Sequence, residues 1–183
     1  MSRSSAAIPV FLRADEIAET VRRLAREVAA DMRGLDPVLV GVLRGSTIFL
    51  ADLVRQLDFP LSIDFLAVSS YAGETSTGVV RILKDLDESI TGRHVVLVED
   101  IVDSGLTLEY LLGALGGRDP ASLRVCVLLD KTGARKTRVR PDYVGFRFER
   151  GFVVGYGLDY RQGYRNLPYI GLLSPEGGDP EHP

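Results

Sequence analysis

The sequence predicts an α/β protein with a parallel-stranded central sheet flanked by helices. Three observations lead there. Short apolar runs alternate with segments of helical periodicity. The runs at 37–42 (PVLVGV), 94–99 (HVVLVE) and 123–129 (LRVCVLL) are almost unbroken, as strands covered on both faces must be. Each run gives way to a stretch rich in Gly, Ser or charge, which is where open parallel sheets place their ligand sites.

The elements follow in order. Residues 1–12 are expected to be loosely ordered, with Ile8, Val10 and Phe11 docking on the body. From Ala14 to about Met32 the apolar residues Ile17, Val21, Leu24 and Val28 recur at helical spacing, and Gly34 then ends the helix. Pro37 to Val42 is a buried strand, LRGS at 43–46 a loop, and Thr47 to Leu57 a helix. Leu61 to Ser69 and Val79 to Leu83 are strands separated by small polar residues (SYAGETSTG, 70–78) that read as a loop. His94 to Glu99 is a strand, about Leu106 to Leu115 a helix closed by Gly116-Gly117, and Leu123 to Leu129 another strand. A basic stretch, KTGARKTRVR, occupies 131–140. Tyr143–Phe148, Phe152–Tyr156 and Tyr169–Leu173 are short apolar pieces. The tail at 175–183, rich in Pro, Gly and acid, is expected to be loosely ordered.

Bulk properties narrow the function classes. A chain of 183 residues fits one domain over 1–183 with a substantial core. The net charge of −3 gives no global attraction for nucleic acid or an anionic membrane. One cysteine excludes an internal disulfide and argues against a zinc cluster. No apolar run approaches the ~20 residues that span a bilayer, and the N-terminus has no long apolar leader core. These features lead to the expectation of a cytoplasmic protein.

One stretch carries chemistry. In V95-V-L-V-E-D-I-V-D-S-G-L-T107, a buried strand runs into Glu99 and Asp100, with Asp103 shortly after. A strand end turning to solvent would account for one acid, but not for this pattern. Ser104, Gly105 and Thr107 stand where a loop becomes a helix, so free N–H groups and the helix dipole favour a phosphate there. The spacing is not that of a Walker loop. Adjacent carboxylates suit vicinal ribose hydroxyls or a hydrated magnesium ion, and would stabilise positive charge developing on a sugar ring. Together these features point to a ribose 5-phosphate reacting at its anomeric carbon.

The stretch resembles the PRPP-binding signature of type I phosphoribosyltransferases, most closely the hypoxanthine-guanine branch. The resemblance extends in order over about residues 37–173. It implies the type I phosphoribosyltransferase fold with a small hood built from terminal segments. Arg44 and Gly45 in LRGS are similar to a pyrophosphate-binding loop that often contains a cis peptide, with Arg where many relatives have Lys. Ser70 and Tyr71 resemble the start of a catalytic lid. Lys131 matches a lysine that contacts the purine 6-oxo group, and Arg135 a basic position near the pyrophosphate and subunit interface. Phe152 would stack on the purine and the Val153 backbone would pair with its edge. Asp159 corresponds to a residue near a second magnesium, and Arg165 to an arginine that reaches the pyrophosphate.

The implied activity is purine salvage: transfer of the 5-phosphoribosyl group from PRPP to hypoxanthine or guanine, with Mg2+ as cofactor. Asp103 would be the catalytic acid/base. Glu99, Asp100, Ser104, Gly105 and Thr107 would bind the ribose and 5-phosphate, and Glu99, Asp100 and Asp159 would serve magnesium. The resemblance implies a homodimer or homotetramer with small-molecule partners, while hydropathy gives no membrane partner and the net charge of −3 disfavours nucleic acid. Two alternatives stay open: a nucleotide-sensing RNA-binding regulator on the same fold, favoured only by the basic stretch, and a xanthine-preferring enzyme. Cys126, His94 and His182 receive no chemical role.

Overall fold

The computed structural model describes residues 8–70 and 80–174. The elements are β1 (Val10–Leu12), α1 (Ala14–Met32), β2 (Val38–Leu43), α2 (Thr47–Val54), β3 (Ser62–Ser70), β4 (Val80–Lys84), β5 (His94–Val102), α3 (Leu106–Gly116), β6 (Ser122–Lys131), β7 (Tyr143–Phe148), β8 (Phe152–Val154) and β9 (Ile170–Leu173). A six-stranded sheet has the order β4-β3-β2-β5-β6-β7, parallel except for β4, which runs antiparallel on the edge. A second, antiparallel sheet of order β1-β9-β8 forms the hood.

Burial on both faces explains the unbroken apolar strands. Val96 and Val98 of β5 and Cys126 and Leu128 of β6 pack with Ile17, Val21, Leu24 and Val28 of α1 and Phe49 and Leu53 of α2. The alternate residues Val95 and Leu97, with Val125 and Val127, pack with Leu108, Leu111 and Leu115 of α3. The two-residue period of a strand thus divides one sequence run between two cores. At the start of α1, the Glu16 carboxylate accepts the Arg13 N–H at 2.9 Å, and Asp15 adds a second acid to the first turn. Gly34, at φ +83°, takes the left-handed conformation that ends the helix.

The chain leaves β2 toward β3 on one side, while β5 lies on the other. The strand order therefore reverses between β2 and β5, and the loops after these two strands flank one crevice.

Four expectations need correction. Val10–Leu12 are not loose: they pair with β9, and Phe11 packs on Phe148 with ring centroids 5.4 Å apart. Residues 1–7 and 175–183 lie outside the described residues. Strand β5 does not stop at Glu99 but continues to Val102, because pairing with β6 carries on through Ile101↔Leu129 and Val102↔Asp130. Both carboxylates therefore belong to the strand. Strand β6 likewise extends to Lys131, held by β7 as far as Phe148. Helix α2 ends at Val54, three residues before Leu57.

Candidate active site

Strand β5 delivers Glu99, which is buried, and Asp100, which packs on the loop after β2. Burial, reinforced by the neighbouring Asp100, holds the Glu99 carboxyl well above the usual range. Burial also pushes Asp100 up to about 6, opposed by the Ile101 N–H that donates to it at 3.0 Å and by the nearby Arg165. Neither acid forms a salt bridge among the described residues. Two adjacent acids placed in this way call for an external partner rather than an internal one.

Beyond Val102 the chain turns through Asp103, Ser104 and Gly105 into α3. Gly105 sits at φ +84°, and a Cβ there would collide with the Thr137 hydroxyl and crowd Arg135 and Val139. Among the described residues, the N–H groups of Asp103, Ser104, Gly105 and Thr107 meet no acceptor in the chain. Four unpaired donors at the start of a helix of 11 residues form a ready anion cradle.

The loop after β2 carries the implied cis peptide, at Leu43–Arg44. Gly45 is fixed by two contacts. A Cβ on Gly45 would strike the Asp100 carboxylate, and a Cβ on Gly157 would strike the Gly45 carbonyl. The loop is thus wedged between β5 and the segment that follows β8. Arg44 is exposed and donates to the Gln162 side chain at 3.1 Å. Arg165 donates to the Gly157 carbonyl at 2.6 Å and pairs with Asp159 at 2.6 Å. Asp159 also accepts the Gln162 N–H at 2.8 Å. These contacts bring Arg44, Gly45, Asp159 and Arg165 to one rim beside Asp100.

On the opposite rim, the Lys131 ammonium lies 3.2 Å from the Asp103 carboxylate, with Lys131 the better buried of the two. Phe152, at the start of β8, meets Tyr160 edge-on with centroids 5.7 Å apart, and Val153 beside it is buried. Ser70 ends β3; Tyr71, the other proposed lid residue, lies outside the described residues.

Sequence reasoning missed several participants. Gly157 holds Gly45, Gln162 holds Arg44, and the Tyr156 hydroxyl donates to Asp52 at 2.6 Å, tying the hood segment to α2. The positive φ values of Tyr156, Gly157, Arg161 and Gln162 mark this segment as tightly turned, which the glycines of VGYG only hinted at. Arg135, which the resemblance matches to a basic position near the pyrophosphate and subunit interface, has its guanidinium bonded to Asp130 and to three backbone carbonyls.

The donor set fits magnesium better than a metal held by protein alone. Among the described residues no three His, Cys, Asp or Glu side chains converge. The adjacent oxygen donors of Glu99 and Asp100 are of the kind magnesium takes, since it keeps several waters and binds through one or two carboxylates plus substrate phosphates.

A strand-order switch, paired acids at a strand end and a helix start with unpaired N–H groups beside them form the kind of crevice in which open α/β sheets bind ligands. The chain belongs to the phosphoribosyl transferase domain family, whose model matches residues 11–161. It is 51% identical over 173 residues to a hypoxanthine-guanine phosphoribosyltransferase of Mycobacterium avium, covering 91% of this chain and 85% of that one. It is 49% identical to the bifunctional protein TilS/HprT of Listeria innocua over 168 residues, which are 91% of this chain. The chain spans only 26% of the length of that relative. A crystal structure of a hypoxanthine phosphoribosyltransferase from Staphylococcus aureus superposes with a TM-score of 0.89 at 43% identity, covering 95% of this chain and 98% of that one. No helix among the described residues is long and apolar enough to cross a membrane.

The raised carboxylates have a consequence for stability. A folded-state pKa above the unfolded value means that the folded protein holds a proton the unfolded chain has released. Stability is then fullest below the unfolded pKa and is lost as the pH rises through the folded one, about 6 for Asp100. Asp100→Asn, which keeps the acceptor for the Ile101 N–H, should raise the melting temperature of the ligand-free protein at about pH 8, and the gain should vanish toward about pH 4. Calorimetry across that range checks the sign: a gain largest at low pH would contradict it.

Proposed function

We propose that this chain is a purine-salvage enzyme that transfers the 5-phosphoribosyl group of PRPP to N9 of hypoxanthine or guanine. The C1–oxygen bond to pyrophosphate breaks, the C1–N9 bond forms, and the purine loses a proton, giving IMP or GMP and pyrophosphate. The observation that carries the proposal is the adjacent pair Glu99–Asp100, the first buried and the second half-buried, leading directly into the cradle of Ser104 to Thr107. That order matches ribose hydroxyls followed by a 5-phosphate.

The residues divide the work. Glu99 and Asp100 hold the ribose hydroxyls and stabilise the oxocarbenium-like charge that develops at C1. Ser104, Gly105 and Thr107 hold the 5-phosphate through N–H groups and hydroxyls. Arg44, Gly45 and Arg165 face the pyrophosphate, and Ser70 and Tyr71 begin a lid that excludes water. Glu99 and Asp100 would hold one Mg2+ and Asp159 would lie near a second, and together with substrate oxygens they would supply charge that neutralises the pyrophosphate.

The Lys131–Asp103 pair supports a 6-oxopurine. The 6-oxo group and N7 lie side by side on such a base. Lys131 offers a donor to the first and Asp103 a proton acceptor to the second, 3.2 Å apart. Adenine would set its 6-amino donor against the ammonium. Phe152 supplies an aromatic face to the base and the Val153 backbone pairs with its edge. The proposal includes a single catalytic domain, homodimeric or homotetrameric assembly, and action in the cytoplasm.

A spectrophotometric assay with PRPP and Mg2+ against hypoxanthine, guanine, xanthine, adenine and uracil tests the proposal. Turnover with hypoxanthine or guanine is expected. Preference for xanthine would move the substrate, and nucleotide binding without turnover of any base would favour a sensing role. Asp103→Asn should leave PRPP binding nearly intact and lower kcat by about 10²-fold or more. An unchanged kcat would remove Asp103 from the proton transfer.

A further inference from the structure

The phosphate cradle is shaped from behind, and the shaping groups lie in the basic stretch at 131–140. Arg135 donates from Nε to the Asp103 carbonyl at 3.1 Å and from an Nη to the Val102 carbonyl at 3.4 Å. The Lys136 N–H donates to the Ser104 carbonyl at 2.8 Å. Three successive carbonyls, those of 102, 103 and 104, are therefore all engaged by one loop. In a trans peptide the carbonyl of one residue and the N–H of the next point in opposite directions. Holding those three carbonyls on the side of the basic loop turns the N–H groups of Asp103, Ser104 and Gly105 the other way, where they meet no acceptor among the described residues.

We propose that Arg135 and the Lys136 backbone form a clamp that pre-sets the cradle, which makes Arg135 a positioning residue for the 5-phosphate and not a pyrophosphate contact. Its remaining donors fit that role. One Nη donates to the Val139 carbonyl at 3.0 Å, which closes the basic loop on itself, and the other also bonds to Asp130. Asp130 is buried, and Arg147 lies 3.5 Å away on the neighbouring strand. The guanidinium is thus anchored to the sheet while it grips the turn. Gly105 completes the fit, since any side chain there would push Thr137 and Arg135 off the loop. A lysine at 135 could keep the charge beside Asp130, but its compact ammonium cannot reach carbonyls on two sides as a planar fork does.

The inference rests on the phosphoribosyl-transfer reading, which turnover of hypoxanthine or guanine by the unaltered protein checks first. With that established, Arg135→Lys is compared with the parent for binding of two ligands, IMP and magnesium pyrophosphate. The clamp predicts at least about a tenfold loss of IMP affinity, with pyrophosphate affinity within about twofold of the parent. It also predicts that inosine, which lacks the phosphate, loses no affinity. Equal losses for IMP and inosine would reduce Arg135 to general structural support. A loss confined to pyrophosphate would place it in the leaving-group site. Either result overturns the proposal, as does unchanged IMP affinity. Should the lysine variant not fold, the double variant Asp130→Asn with Arg135→Gln removes the buried pair together, leaving no unpaired acid, and the same affinities are read from it.

Discussion

Placing Glu99 and Asp100 side by side at the end of a buried strand is the constraint on which the rest of this molecule depends. Packed apolar residues precede them on β5, and parallel partners extend the strand past them. Among the described residues neither acid forms a salt bridge, and burial raises both carboxyls, so the ligand-free fold carries an electrostatic cost. Such a cost is tolerated where a ligand brings what the protein lacks: hydroxyl donors, a cation, or positive charge developing in a reaction. A destabilising pair retained in the fold is the usual sign of a site shaped by function.

The surrounding structure holds other groups at fixed distances from that pair. The strand-order switch between β2 and β5 brings the Gly45 loop against Asp100, and Gly157 closes on Gly45 from the other side. Two glycines and one carboxylate thus interlock a sheet loop, a strand end and the hood segment, with no space for a methyl group at either glycine. On the far side, the loop after β6 braces the turn after β5. The site therefore lies between two sets of backbone contacts, one on each side of Glu99 and Asp100.

Much of this was legible in the sequence, for identifiable reasons. Unbroken apolar runs report burial on two faces, so the central strands and their order of appearance could be read directly. The acids and the D-S-G-x-T turn were legible because their chemistry is unusual after such a run. Strand ends were harder to read. Pairing with β6, not composition, carries β5 through Glu99 and Asp100 to Val102. The role of Arg135 was hidden for a related reason. A basic residue in a basic stretch reads as surface charge or as a ligand contact, and only the fold shows that its donors are turned inward onto carbonyls. Gly157 was likewise one glycine among 19 until its closeness to Gly45 was visible.

The central claim is that the acids face the sugar while the turn behind them holds its phosphate. A crystal structure of the protein with PRPP and Mg2+ tests it most directly. The account predicts the ribose hydroxyls within hydrogen-bond reach of Glu99 and Asp100, and the 5-phosphate on the N–H groups of Asp103 to Thr107. A 5-phosphate seated instead on the Arg44–Gly45 loop, or a ribose that leaves both acids without a partner, would contradict it.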